Sequence, residues 1–75
     1  MNDLPYATND DIVRCTDIVK SELAKIQVNM TYDRLHKIAL EIMGISYAHG
    51  GDYSNNIIEK YAKVYVKRNM YKKYQ

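Results

Sequence analysis

The chain has 75 residues, of which 47% are hydrophobic and 27% charged, and it contains a single cysteine. This length excludes a two-domain enzyme, because domains usually contain about 50 to 250 residues, and one cysteine excludes both an intramolecular disulfide and a four-cysteine zinc site. A formal net charge of +2 identifies no class of partner by itself, and no run approaches the roughly 18 apolar residues that a membrane-spanning helix needs.

The first predicted helix runs from about residue 9 to residue 27. Thr8 and Asp11 have the spacing of a capping box, in which a hydroxyl and a short acid bind free amides at a helix start. At 100° per residue, one face is apolar and the other polar, which predicts a single buried face. Val13 and Ile18 fall off this face and are candidate interface residues. The predicted core positions are Ile12, Cys15, Thr16, Val19, Leu23 and Ile26.

The second predicted helix runs from residue 32 to Gly44. Residues 28–30 form the predicted connection before it, with Asn29 in a left-handed conformation and Thr31 as the N-cap. Gly44 is the predicted stop, and Leu40 lies off the apolar face as a third candidate interface residue. The predicted core positions are Tyr32, Leu35, Ile38, Ala39, Ile42 and Met43.

The third predicted helix runs from residue 54 to residue 72 and frays in its last turn. Residues 45–53 before it are predicted to be irregular, and Gly50 with Gly51 indicates a turn with positive φ. Asp52 or Ser54 is the predicted cap. Its predicted core positions are Ile57, Ile58, Tyr61, Ala62, Val64 and Tyr65.

Three amphipathic helices joined by short connections predict an all-α, small three-helix bundle as a single domain over residues 1–75. A strand over residues 64–66 is the less favoured alternative. The N-terminal residues lack the pattern of an export signal. With only one cysteine, the chain is therefore expected to be intracellular, in the cytoplasm.

Residue types that serve enzymes are present, but their spacing does not favour catalysis. Cys15 lies on an apolar helix face, where cysteine behaves as a small hydrophobe, and nothing in the spacing brings His36 to it. Ser46, His49 and Asp52 lie within one loop, whereas a hydrolase triad needs a rigid scaffold beside an oxyanion site. Because metal-ligand spacings such as HxxxH are also missing, we predict a non-enzymatic protein without metal or cofactor.

Charge is distributed unevenly along the chain. Residues 1–58 carry a net charge of −3, and residues 59–75 carry +5. All eight aromatic residues are Tyr, and two of them, Tyr71 and Tyr74, are predicted to be free rings among the lysines. Cations interleaved with rings bind acidic protein surfaces or nucleic acid. The candidate partner-binding residues are Lys60, Lys63, Lys67, Arg68, Tyr71 and Lys72.

The preferred hypothesis is docking onto another protein, as a regulator or inhibitor. The alternative is a DNA- or RNA-binding protein that uses the basic C-terminal helix. A helix-turn-helix is less favoured, because the exposed residues of the second helix mix both signs of charge. The opposite charges of the two parts are also compatible with a homodimer. Val13, Ile18 and Leu40 are candidate residues for contact either with a second copy or with another partner. Abundant Tyr, Met, Ile, Asn and Lys are typical of AT-rich genomes, such as those of some viruses and mobile elements.

Overall fold

The computed structural model describes residues 6–75 and confirms the three-helix bundle. It contains α1 (Asn9–Ala24), α2 (Tyr32–Ala48) and α3 (Asn55–Lys67), followed by a short 3₁₀ helix (Met70–Tyr74). No strand occurs in this range, and residues 64–66, the alternative strand, lie within α3. Each α-helix packs against the other two. None of these helices combines the length and apolar character that a bilayer span requires. The prediction about an export signal rests partly on residues 1–5, which lie outside the described residues.

The start of α1 is as predicted, but its end is earlier. The Thr8 hydroxyl accepts a hydrogen bond from the Asp11 amide, and the Asp11 carboxylate accepts one from the Thr8 amide, both at 3.1 Å. The helix ends at Ala24 rather than at residue 27. Gln27, not the predicted Asn29, takes the left-handed conformation, with φ of 61°. Amides 27 and 28 then bind the carbonyls of residues 24 and 23, which closes the helix in a Schellman motif.

The end of α2 lies beyond the predicted stop. Thr31 caps the helix as predicted, and its hydroxyl accepts from the Arg34 amide at 3.4 Å. Gly44, however, lies inside α2, which continues through residues 45–48 to Ala48. Beyond the helix end, Gly50 takes a positive φ of +79°, and the next amide, of Gly51, binds the Ser46 carbonyl at 2.8 Å. A single interior glycine costs only about 1 kcal/mol, so the buried residues on both sides of Gly44 keep the helix intact.

The end of α3 also differs from the prediction. Ser54 is the N-cap residue, although its hydroxyl makes no capping hydrogen bond, and its amide donates to the Asp52 carboxylate at 3.0 Å. The helix stops at Lys67 instead of residue 72, because Asn69 takes a left-handed conformation with φ of 60°. The following 3₁₀ helix packs on the bundle through Tyr71, so the chain end is not frayed.

The core follows the predicted helix faces, but five of the predicted positions are not buried: Ile57 and Tyr61 are partly buried, and Ile26, Tyr32 and Val64 are exposed. Ile26 is 45% exposed because α1 has already ended, and Tyr32 is 57% exposed because it lies in the first turn of α2. Val64, at 43%, lies on the outer face of α3. Sequence patterning missed Tyr53 and Tyr71, which are buried outside the three α-helices. The buried apolar residues are Ile12, Cys15, Val19, Leu23, Leu35, Ile38, Ala39, Ile42, Met43, Tyr53, Ile58, Ala62, Tyr65 and Tyr71.

Two polar contacts fix the position of α3 along α1. Arg14 donates to Asn55 at 2.6 Å, and Lys63 donates to Glu22 at 2.9 Å. Both pairs are separated by 41 residues in the chain, so α1 and α3 run in the same direction. The outer faces of these two parallel helices carry most of the charged residues discussed below.

Candidate docking surface

The cysteine serves packing rather than chemistry. Cys15 is fully buried in the core between the three helices. Burial raises the pKa of its thiol to about 11. Because the thiolate is the nucleophile, the group is unreactive near neutral pH.

Ser46, His49 and Asp52 are held in structural contacts. The buried Ser46 hydroxyl donates to the backbone carbonyl of Asp52 at 2.7 Å, which ties the end of α2 to the following turn. His49 is exposed and stacks on Tyr61 with ring centroids 6.0 Å apart. The same turn explains why residue 51 is a glycine, because a Cβ atom there would lie 2.7 Å from the Ser46 hydroxyl oxygen. The three side chains therefore do not form a proton relay.

The described residues offer no cluster of metal ligands. Among residues 6–75, no group of three or more His, Cys, Asp and Glu side chains converges in a way that could hold an ion.

Lys63, a candidate partner-binding residue, is engaged inside the molecule. Its ammonium and that of Lys25 bind the Glu22 carboxylate at 2.9 and 2.8 Å, and the Glu22 side chain is only 8% exposed. Burial opposes ionisation of Glu22, but the hydrogen bonds from Lys25 and Lys63 outweigh it and lower its pKa. The sequence analysis did not identify Glu22 as a partner of Lys63. The only local indication that Glu22 forms an ion pair was Lys25, three positions later on the same helix.

The predicted free rings at the chain end are also engaged. Tyr71 is 6% exposed, so the expectation of a free ring there is wrong. Tyr74 is half-buried and donates its hydroxyl to Glu41 at 2.9 Å. Lys73 binds the other oxygen of the same carboxylate at 2.9 Å. Glu41 of α2 thus anchors the 3₁₀ helix.

Four of the candidate cations have no carboxylate partner among the described residues. Lys60, Lys67, Arg68 and Lys72 are exposed and form no ion pair with any residue between 6 and 75. On α3, residues 60, 64 and 67 share one face, and residue 68 borders it. Val64 is therefore a half-exposed apolar side chain surrounded by three cations. We call Lys60, Val64, Lys67 and Arg68 the basic surface.

An apolar groove borders the basic surface. It has a volume of about 430 Å³ and lies between the C-terminal half of α2 and α3, where Val64 and Arg68 form one side. The Lys60 ammonium lies 5.8 Å from the centroid of the Tyr61 ring, within cation–π range. The rest of the lining comes from Ile45, His49, Tyr61, Tyr65 and Met70.

The three candidate interface residues do not form one patch. Val13 is 49% exposed on α1. Ile18 and Leu40 are partly buried against the core, and they lie on different helices. Of these three candidates, only Val13 is therefore a large exposed apolar side chain.

Comparison of the chain with protein-family models, with curated proteins and with solved structures gives no match.

Proposed function

We propose that this protein is a non-enzymatic binding protein that docks onto another protein through the basic surface, as a regulator or inhibitor. The observation that supports this is Val64, an exposed apolar side chain among three cations that the fold leaves unpaired. An apolar centre with a charged rim is the usual composition of a protein interface. The engagement of Cys15 and Ser46 in packing contacts favours binding over catalysis.

The partner is expected to present an apolar side chain flanked by carboxylates. Burial of Val64 supplies part of the affinity, about 25 cal/mol for each Å² of apolar surface removed from water. The surrounding cations increase the association rate and set the register more than they add affinity. Docking is therefore expected to weaken as the salt concentration rises.

Capture from a lysate of the source cells or their host tests this proposal. The wild type is expected to retain one dominant protein, which the triple variant Lys60→Glu, Lys67→Glu, Arg68→Glu loses. Lys63 is not replaced, because its loss would disturb the contact with Glu22. The charge-matched control reverses Lys20, Arg34 and Lys37, three exposed cations outside the basic surface, and should retain the partner. Equal capture by the triple variant, or capture of nothing by the wild type, contradicts the proposal.

Nucleic acid is the alternative partner, and the four unpaired cations favour it, since lysine and arginine also neutralise phosphates. Protein docking is preferred because the Tyr71 ring is buried and Tyr74 is bound to Glu41, which removes the two predicted stacking platforms. A gel shift with duplex and single-stranded DNA and RNA at low salt separates the two. A shift that falls steeply with salt and is lost in the triple variant would replace the protein proposal with this one.

A further inference from the structure

Two helices of this protein carry matching stripes of opposite charge. On α1, Asp10, Val13 and Asp17 share an outer face, and on α3 the same is true of Lys60, Val64 and Lys67. We call them the acidic stripe and the basic stripe. Each has a half-exposed valine between two exposed charges, with Val13 at 49% and Val64 at 43%.

The spacing of the two stripes is the same when one is read backwards. In the acidic stripe, the valine lies three positions after the first acid and four positions before the second. In the basic stripe, the valine lies four positions after the first lysine and three positions before the second. The two charges of each stripe are thus about 10 Å apart along the helix, at 1.5 Å per residue. Antiparallel helices would place Asp10 opposite Lys67, Asp17 opposite Lys60 and the valines opposite each other.

The charges of both stripes are available for such a contact. None of the four charged side chains forms an ion pair within the described part of the chain. The antiparallel register also brings Arg14 of one copy towards Lys63 of the other. These two cations are already neutralised, Arg14 by Asp11 at 2.6 Å and Lys63 by Glu22 at 2.9 Å.

We propose that a second copy of this chain docks its basic stripe onto the acidic stripe, with the two helices antiparallel. The contact joins two different surfaces. It either repeats from molecule to molecule or, because α1 and α3 of one molecule run in the same direction, closes into a dimer in which both contacts form. The proposal does not depend on the docking partner above, because it needs only the purified chain. Self-association covers the basic surface and therefore competes with that partner.

Sedimentation equilibrium of the purified chain from about 10 μM to about 1 mM tests the proposal, since this range covers weak contacts. The weight-average mass of the wild type is expected to rise with concentration at low salt and to fall at high salt. The variant Lys60→Glu, Lys67→Glu and the variant Asp10→Lys, Asp17→Lys should each associate about tenfold or more weakly, which corresponds to about 1.4 kcal/mol or more. An equimolar mixture of the two should associate again, because each variant supplies the stripe that the other lacks.

A charge-matched control separates the stripes from a general effect of net charge. The variant Arg34→Glu, Lys37→Glu changes the net charge as much as the replacement of the two stripe lysines and should associate like the wild type. Circular dichroism establishes that every variant folds. A wild type that stays monomeric at 1 mM overturns the proposal. So does a mixture that associates no better than its components, or a control that associates as weakly as the stripe variants. None of these outcomes affects the lysate experiment.

Discussion

At the residue scale, Glu22 is a side chain of α1 that, like Arg14, forms a polar contact with α3. Its carboxylate is 8% exposed and receives hydrogen bonds from two ammonium groups, of Lys25 and Lys63. The lysines themselves are more than half exposed, so the arrangement needs only one charge to leave bulk water. Both ammonium groups bind the same oxygen, Oε2, and a carboxylate in this position stabilises the fold only while its charge is compensated.

We expect Glu22→Gln to lower the free energy of unfolding by about 1 to 2 kcal/mol, because hydrogen bonds to a charged acceptor are replaced by weaker ones to an amide. Urea denaturation at pH 7 measures this difference. Glu59→Gln is the matched control, since Glu59 is exposed and forms no ion pair with the residues described, and it should stay within about 0.5 kcal/mol of the wild type. Equal effects of the two substitutions would show that the Glu22 contacts contribute nothing.

At the element scale, the 3₁₀ helix acts as a fourth packing element. The left-handed Asn69 turns the chain out of α3, and Tyr71 then enters the core. Glu41 holds the far end through Lys73 and Tyr74. The last six residues therefore belong to the folded unit and are not a solvated tail.

We expect Tyr71→Ala to lower the free energy of unfolding by about 2 to 4 kcal/mol, because it leaves a cavity where an aromatic ring was buried. Lys72→Ala, at the neighbouring exposed position, should change it by less than about 0.5 kcal/mol. Chemical denaturation followed by circular dichroism gives both values. A Tyr71 variant as stable as the Lys72 variant would mean that the 3₁₀ helix does not pack on the bundle in solution.

At the scale of the whole molecule, ionised carboxylates and ammonium groups stabilise the fold near neutral pH, and this stability is lost in acid and in alkali. The Thr8 amide and Arg14 lower the pKa of Asp11, and the Ser54 hydroxyl and amide lower that of Asp52. Glu22 is lowered as well, because its two lysines outweigh its burial. Hydrogen bonds to Glu22 and Glu41 raise the pKa of Lys63 and Lys73.

We expect the free energy of unfolding to be constant between about pH 5 and 9 and to fall on both sides. The three carboxylates contribute stability that is present above their ordinary pKa values of 3.8 and 4.5 and is lost as pH falls through the folded values. The buried Cys15 thiol and the two lysines contribute stability that is present below their ordinary pKa values of 9.0 and 10.5 and is lost as pH rises through the folded values, which for Cys15 is about 11. Thermal melts from pH 2 to pH 11 measure the profile. The Glu22→Gln variant should lose less stability than the wild type below pH 4.5, and an equal loss would contradict the assignment.

The helix starts were predictable from sequence and the helix ends were not. Thr8 and Thr31 are N-caps whose hydroxyls accept hydrogen bonds from amides three positions later, so the local sequence is enough to identify them. The residue type of Gln27 does not predict a left-handed conformation, since glycine and asparagine are the usual left-handed residues at the end of a helix. Gly44 has such a signal but remains helical, because residues on both sides of it are buried against α1 and α3.

The order of residues along each helix is enough to predict the all-α fold, the three core faces and the separation of acidic and basic segments. Which charges are free depends instead on how the helices pack. Lys63 and Lys73 find carboxylates 41 and 32 residues away, whereas Lys60, Lys67 and Arg68 find none among the described residues. Helical periodicity assigns a residue to a face of its own helix but does not specify how that helix is rotated and shifted against its neighbours. That relative placement is what leaves Val64 exposed among the unpaired cations.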